Sequence, residues 1–369
     1  MKKILHIAEA FGSGVFHYVK NLAAWQCKEY KVYVAYGIRP ETPEHFQEQF
    51  NGKVAFIKVE GFTREIKPLH DLKAFFALKE IVKRIQPDLI HLHSTKAGIV
   101  GRWAIDCKQR QVLYSPHAYS FLMMDCSPWK RVLYKSIEKV SDKKRCITVA
   151  DIEGEYEASK EVASRAVCIP NGINPAEMDS IIQQAEKFVR KRDKVTVCML
   201  GKVVPQKNPE LFYEIAMRFP EMDFVWIGAG PLEDKLAGPN IEVTGWLNRI
   251  EATARIMESD IFLFASAWES LSIALLEAMY IGMPCVVSRV DGNRDVIQSG
   301  RNGYVCDTKE EYVFAIRRLA EDQSLAEDQS LAEELGGNAR QDILDKYNVY
   351  TMRQSYEKLY RELGIGEKG

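Results

Sequence analysis

The sequence predicts an α/β protein built on two parallel sheets, each covered by helices on both faces. Three observations carry that expectation. Short apolar runs alternate with amphipathic stretches along most of the 369 residues, the pattern of strand–helix–strand units. The alternation comes in two series with a Pro-Asn-Gly break between them. A chain of this length holds two domains of ordinary size.

Each element follows from its own residues. In the first series, residues 3–8, 31–36, 54–59, 89–93, 112–115, 145–149 and 166–169 read as strands. Residues 15–26, 69–85, 95–107 and 129–140 read as helices among them. The break is IPNGIN at 169–174, where Pro, Asn and Gly all oppose regular structure. The charged run KFVRKRDK at 187–194 then reads as a solvated helix end and linker. In the second series, residues 195–200, 223–227, 241–243, 261–264, 285–288 and 304–306 read as strands. Helices are expected at 209–219, 250–258, 273–281 and 310–320, with a last one at 349–363. The hexapeptide LAEDQS occurs twice in succession, at 319–324 and 325–330. Six residues is about 1.7 helical turns, so a local duplication in an exposed helix or loop is expected, with no function attached.

Composition narrows the class. Hydrophobic residues make up 46% and charged residues 27%, a globular balance. No stretch reaches the roughly 18 consecutive apolar residues of a membrane span. The N-terminal MKKILHIAEAFGSG reads as a first strand and not as a signal peptide, because His6 and Glu9 interrupt its apolar run. Eight cysteines are scattered without a C-x-x-C pair, which suits a reducing cytosol and argues against a zinc site or a disulfide frame. Net charge is −1, yet the first 175 residues carry 27 Lys+Arg against 19 Asp+Glu. A basic half beside an acidic half suggests that one face meets anions; nucleic acid is not expected as a partner.

The most informative segment is ASAWESLSIALLEAMYIGMPC at 265–285. Glu269 lies near the carboxyl end of a strand, and Glu277 sits about two turns into the following helix. Ligands of open α/β sheets bind outside the carboxyl ends of the strands. This E-x(7)-E spacing, with EAM-x-x-G-x-P after it, resembles the donor site of retaining glycosyltransferases of the GT-B fold, family 4. The resemblance covers nearly the whole chain. It implies two Rossmann-like domains facing across a cleft, with the C-terminal helix crossing back to the first. The first domain, 1–172 with 349–369, would bind the acceptor, and the second, 173–348, the nucleotide-sugar donor.

The resemblance assigns roles residue by residue. Glu269 would act at the donor sugar and Glu277 on the ribose hydroxyls. Lys202 and Lys207 flank a Pro-containing loop before a helix, where two cations would hold a diphosphate. Lys202 stands where relatives commonly have arginine, which keeps the charge but loses the bidentate fork. Ser270, Leu271, Ser272 and Ile273 replace a Gly-Phe-Gly-like run, and the helix N-terminus there still offers N–H groups to the β-phosphate. Backbone groups near Trp246 and Leu247 would hold the base. In the first domain, Gly12, Ser13 and Gly14 form a glycine loop between a strand and a helix, with Gly14 toward the donor and Gly12 and Ser13 toward the acceptor. His117, in SPHAY, is expected at the donor sugar near the bond that breaks. His91 and His93 are expected on opposite faces of their strand, His91 in the core and His93, with Lys96, lining the acceptor cleft. His117, Glu269 and Lys207 are the expected catalytic group.

No Asp-x-Asp occurs, so no metal or other cofactor is expected, and lysines and helix dipoles would neutralise the leaving diphosphate. The expected reaction is sugar transfer from a UDP-sugar, of hexosyl or N-acetylhexosaminyl type, to a lipid-linked saccharide or polyprenyl-diphosphate acceptor. HLHS-x-K-A-G and SPHAYSF resemble bacterial enzymes of capsule or O-antigen synthesis. Two other activities stay open: a nucleotide-sugar 2-epimerase on the same fold, and a non-catalytic sugar-nucleotide-binding subunit. A nicotinamide dehydrogenase fits poorly, because His17 breaks G-x-G-x-x-G and no acid ends the strand at 31–36. The helix beginning near Trp129 places Arg131, Lys135, Lys139 and Lys143 four residues apart. That stripe is expected to dock on an anionic membrane surface, making the protein cytoplasmic and peripheral to the inner face of the cell membrane.

Overall fold

The computed structural model describes residues 1–50, 53–63, 67–123, 126–190, 192–325 and 330–366. Packing divides the chain into two compact units, Met1–Asn171 with Val349–Gly369, and Gly172–Asn348.

The first unit runs β1 (Lys3–Ala8), α1 (Ser13–Glu29), β2 (Lys31–Tyr36), β3 (Val54–Lys58), α2 (Pro68–Ile85), β4 (Leu89–His93), α3 (Thr95–Ala104), β5 (Gln111–Ser115), α4 (Pro128–Asp142), β6 (Ile147–Ala150), α5 (Glu153–Lys160) and β7 (Ala166–Cys168). The sheet order is β3-β2-β1-β4-β5-β6-β7, with parallel pairing throughout. Its central strands are buried on both faces, which is why β4 and β6 are buried at every residue instead of alternating. One face packs Val19 and Leu22 of α1 with Met352 and Leu359 of the C-terminal helix. The other packs Leu78 and Ile81 of α2 with Ala97 of α3. In register, Ala8, His93 and Ser115 end their strands side by side, so the loops after β1, β4 and β5 leave from one edge.

The second unit continues α6 (Pro175–Ala185), β8 (Thr196–Leu200), α7 (Pro209–Ala216), β9 (Asp223–Ile227), β10 (Ile241–Val243), α8 (Arg249–Met257), β11 (Ile261–Phe264), α9 (Ile273–Ile281), β12 (Cys285–Ser288), α10 (Asp291–Arg294), β13 (Tyr304–Cys306), α11 (Lys309–Leu325) and α12 (Leu331–Asp345). The order β10-β9-β8-β11-β12-β13 repeats the plan of the first sheet. The chain then closes with α13 (Val349–Glu362), which belongs to the first unit.

Several boundaries differ from the expected ones, each for a local reason. The fourth helix extends to Asp142, and β6 starts at Ile147 and not at 145. Arg145 adopts a left-handed conformation (φ 60) and donates to the Asp142 carbonyl at 2.7 Å, so it closes a turn. The Pro-Asn-Gly break also starts a helix: Asn174 caps α6 by accepting from the Glu177 N–H, and Pro175 takes the first helical position. Helix α12 escapes a propensity reading because Gly336 and Gly337 lie inside it. Gly336 is required by packing, since a Cβ there would stand 1.9 Å from the Gly282 carbonyl oxygen at the end of α9. The first LAEDQS copy lies in α11, residues 326–329 of the second fall outside the described residues, and Ser330 caps α12 in a capping box with Glu333.

Helix α4 corrects the expected basic stripe. Arg131 and Lys135 turn toward the protein: Arg131 Nε donates to the Phe121 carbonyl at 3.1 Å, and Lys135 pairs with Glu161. The buried face is polar, with Glu138 accepting from Arg102 and from the Tyr114 hydroxyl, and Ser141 accepting from Trp103 Nε1. The outer face is apolar. Trp129 is 64% exposed and Val132 66%, and Leu133 and Val140 continue the same stripe. Lys130, Lys139 and Lys143 are exposed along it. Leu69, Leu72 and Phe76 form a second exposed apolar row on α2, at the i, i+3, i+7 spacing of one helix face.

Candidate active site

In the second unit, the loops after β8, β9, β10, β11 and β12 leave the carboxyl edge of the sheet. Lys207 ends a short 3-10 turn, Pro205–Lys207, and its ammonium pairs with the Glu269 carboxylate. It also stands 4.2 Å from the centre of the Phe264 ring. Backbone bonds clamp the two loops together: the Ala267 N–H donates to the Gln206 carbonyl at 2.8 Å, and Gln206 Nε2 donates to the Trp268 carbonyl at 3.1 Å. The structure therefore brings Lys207 and Glu269 into contact across 62 residues of sequence. Lys202 lies on the same loop and is exposed.

Glu277 sits in α9 with its side chain 9% exposed. Arg249, the first residue of α8, donates to Glu277 Oε1 through Nε at 3.1 Å and Nη2 at 2.5 Å, and to Glu177 Oε1 through Nη1 at 2.6 Å. Burial pulls the Arg249 pKa down, but the two carboxylates more than reverse this, so the guanidinium stays charged. Sequence reasoning missed Arg249. Its signal is the Asn248–Glu251 capping box, which starts a helix directly after the expected base pocket. In that pocket Trp246 is 68% exposed and Leu247 half-buried.

Between the two glutamates, Ser270 and Leu271 lead to Ser272, which caps α9 without a side-chain bond, and to Ile273, the first helical residue. The first-turn N–H groups of a helix have no intrahelical partner. Ser270 Oγ is buried and makes no hydrogen bond within the protein, so it is open to a partner from outside the chain. Gly292 packs beneath this turn so closely that a Cβ would lie 1.9 Å from the Ser270 carbonyl oxygen.

In the first unit, His117 and Ala118 both have left-handed backbone (φ 52 and 78), an uncommon conformation for residues with side chains. Glu155 stabilises it. Its Oε1 accepts from the Ala118 N–H at 2.7 Å and its Oε2 from the Asp151 N–H at 3.0 Å. Asp151 Oδ2 lies 2.6 Å from His117 Nδ1. Burial alone would lower the His117 pKa; the charge and hydrogen bond of Asp151, with the charge of Glu155, outweigh it and raise the value. Burial, then the neighbouring Asp151, pushes the Glu155 carboxyl up to about 7. Glu155 and Asp151 are functional candidates that sequence reasoning missed, because a D-x-x-x-E pair in a charged segment resembles an ordinary solvated helix start.

His91 lies in the core as expected, but the expectation that His93 faces the opposite side of the strand is wrong. Residues i and i+2 of a strand share a face, and their ring centroids are 4.1 Å apart. Both are fully buried. His93 therefore does not line an acceptor surface; its Nδ1 lies 3.1 Å behind His117 Nε2. His91 bonds Ser115 Oγ at 2.9 Å. Lys96 Nζ is held by Asp71 at 2.7 Å and by the Thr63 carbonyl at 2.7 Å. Gly12 caps α1 and lies close to the Glu41 backbone, whereas a Cβ on Gly14 would meet nothing within 4 Å. The Ser13 side chain lies outside the described residues.

Residues 180–342 match the family described as Glycosyl transferases group 1, and residues 12–177 match Glycosyltransferase Family 4. The chain is a family 4 glycosyltransferase of the GT-B type. Among relatives of this glycosyltransferase is the UDP-Gal:alpha-D-GlcNAc-diphosphoundecaprenol alpha-1,3-galactosyltransferase of Escherichia coli. It is 26% identical, over 82% of this chain and 83% of the relative. The N,N'-diacetylbacillosaminyl-diphospho-undecaprenol alpha-1,3-N-acetylgalactosaminyltransferase of Campylobacter jejuni is 25% identical, over 95% and 96%. The fold matches that of sucrose-phosphate synthase from Thermosynechococcus elongatus, with TM-score 0.81 at 18% identity, covering 98% of this chain and 99% of that one. It also matches the HepE protein of Anabaena solved with UDP, with TM-score 0.78 at 16% identity, covering 98% and 100%. The family 4 enzyme has, among its described residues, no helix long and apolar enough to cross a membrane.

Proposed function

We propose that this glycosyltransferase moves a hexosyl or N-acetylhexosaminyl group from a UDP-sugar to a lipid-linked saccharide of bacterial surface polysaccharide synthesis, with retention of configuration. The observation that carries this reading is the convergence of Lys207, Glu269, the unpartnered Ser270 hydroxyl and the start of α9 at one sheet edge. That set suits a sugar diphosphate: cation and helix N–H groups for phosphate, a carboxylate for sugar hydroxyls. The names of the E. coli and C. jejuni relatives, with their diphosphoundecaprenol-linked acceptors and, in E. coli, a UDP-galactose donor, support the same chemistry.

In this reaction the acceptor hydroxyl attacks the anomeric carbon on the face the diphosphate leaves. The bond from that carbon to the β-phosphate oxygen breaks, the new glycosidic bond forms, and the hydroxyl proton passes to the departing phosphate. Lys202, Lys207 and the N–H groups from Ser270 to Ile273 stabilise the charge that grows on the diphosphate. On binding, the diphosphate takes Lys207 from Glu269, leaving that carboxylate to the sugar hydroxyls. Glu277, oriented by Arg249, takes the ribose, and the backbone near Trp246 and Leu247 takes the base. His117 acts at the donor sugar, Gly14 lets the donor approach closely, and Gly12, Ser13 and Lys96 serve the acceptor. No metal takes part, since lysines and backbone N–H groups supply the positive charge.

The same reading places the enzyme at the inner face of the cell membrane. The apolar outer stripe of α4, edged by lysines, is the arrangement of a helix lying in a bilayer interface, and α2 adds a second row. The acceptor lipid would be met there.

The test is incubation with a panel of UDP-sugars and a polyprenyl-diphosphate-linked saccharide. Acceptor-dependent UDP release and a product keeping the donor's anomeric configuration are expected. An epimerised sugar nucleotide formed without acceptor would replace this reading with the epimerase, and an inverted product would remove the retaining mechanism.

A further inference from the structure

A continuous hydrogen-bonded chain runs behind His117 into the core of the first unit. His117 Nε2 lies 3.1 Å from His93 Nδ1, His93 Nε2 lies 3.0 Å from His6 Nδ1, and His6 Nε2 lies 2.8 Å from Gln26 Oε1. Gln26 Nε2 in turn donates to the Tyr360 hydroxyl of α13 at 2.8 Å. His6, His93, Gln26 and Tyr360 are fully buried, so water does not compete for these bonds. His6 pairs in register with His91, two residues before His93 on the neighbouring strand.

The placement of the Gln26 amide gives the chain its direction. An amide offers a carbonyl oxygen on one side and an NH2 on the other. In the structure Gln26 turns Nε2 to the Tyr360 hydroxyl and Oε1, an acceptor, to His6. His6 must then carry its proton on Nε2, which leaves Nδ1 as a lone pair. That lone pair needs a donor, so His93 carries its proton on Nε2 and leaves its own Nδ1 as an acceptor. His117 must therefore donate from Nε2. On its other side His117 Nδ1 faces the Asp151 carboxylate, an acceptor as well. Both ring nitrogens of His117 then bear protons.

We propose that Tyr360, Gln26, His6 and His93 are positioning residues that hold His117 as an imidazolium. His117 thus offers the reaction a fixed positive charge at the sheet edge and exchanges no proton during the transfer. The catalytic consequence rests on the donor-site reading of His117 given above; the protonation state does not. The groups facing His117 agree with it. Asp151 faces the ring directly and Glu155, its carboxyl pushed up to about 7, adds part of a negative charge, while burial keeps the Tyr18 and Tyr356 hydroxyls protonated and His91 and His93 neutral. Buried beyond them, His6 is held neutral too, its pKa lowered to about 4.

Nitrogen NMR of the histidine side chains in the wild-type protein at neutral pH tests this directly. The expected pattern is His117 protonated on both nitrogens, with His6 and His93 neutral and protonated on Nε2. A neutral His117 accepting from a His93 protonated on Nδ1 would overturn the proposal. Tyr360→Phe frees the Gln26 amide to rotate, and Gln26→Leu removes the acceptor. Each should lower the pH at which His117 loses its proton, the second by about tenfold or more in proton affinity. The alkaline limb of the kcat–pH profile should move with it, while the KM for the donor at low pH stays near wild type. An unchanged His117 titration in both variants would sink the chain. A titration that moves while the rate profile stays put would keep the chain and instead remove His117 from the donor site.

Discussion

Arg249 holds Glu277 with two nitrogens, at 3.1 and 2.5 Å, and turns its third to Glu177. The carboxylate assigned to the ribose is thus already oriented by a cation 28 residues away in sequence. Glu277→Ala should raise the donor KM by about tenfold with a smaller change in kcat, since a charged hydrogen bond to the ribose contributes about 1.5–3 kcal/mol to ground-state binding. Arg249→Ala should do the same more weakly by loosening Glu277. Calorimetric titration with UDP checks both, and unaltered affinity in Glu277→Ala would remove the ribose role.

Lys207→Ala should lower kcat by at least about tenfold, on the order of 1.4 kcal/mol, because charge on the leaving diphosphate grows in the transition state. Activity should persist in EDTA. Full loss that Mg²⁺ restores would show that a metal carries the charge assigned to the lysines.

Gly292→Ala should disturb the donor loop without touching a ligand. The added methyl would meet the Ser270 carbonyl at 1.9 Å and its carbon at 2.5 Å, so the Glu269–Ser270 backbone must shift. A loss of about 1–3 kcal/mol in stability is expected from such overpacking, together with a raised donor KM. Wild-type KM and melting temperature would show that the turn has room to spare.

Vesicle binding should depend on the apolar stripe of α4. Trp129→Glu with Leu133→Glu should abolish co-sedimentation with anionic liposomes, and Lys139→Gln should weaken it by about 1 kcal/mol. Binding should fade as salt rises. Equal sedimentation of wild type and the double variant would take α4 out of the interface.

The His117–Asp151 pair should make stability pH-dependent. His117 has a folded-state pKa raised above its ordinary 6.5, so it binds its proton more tightly when folded. Its contribution is full below the unfolded pKa and is lost as pH rises through the folded one. Urea midpoints of wild type and His117→Gln should therefore converge as pH rises from 6.5 through the raised folded-state value. A constant difference across that range would mean the ring is not charged in the folded protein.

Much of the architecture is legible in the sequence, because strands and helices are local. Their periods, and the Gly and Pro that end them, need only neighbouring residues, so both sheets and the placement of Glu269, Glu277, Lys207 and His117 at strand ends or in the helices beyond follow from pattern alone. The partners of those residues are not local. Arg249 beside Glu277, Glu155 beneath Ala118, and Tyr360 at the far end of the histidine chain are brought together by sheet order and by the return of α13, which no spacing encodes. The inverted helix α4 makes the same point: its basic spacing is visible in sequence, but Arg102 waiting to receive Glu138 decides which face turns inward. Local propensity determined the elements, and long-range pairing of buried charges decided what each one presents.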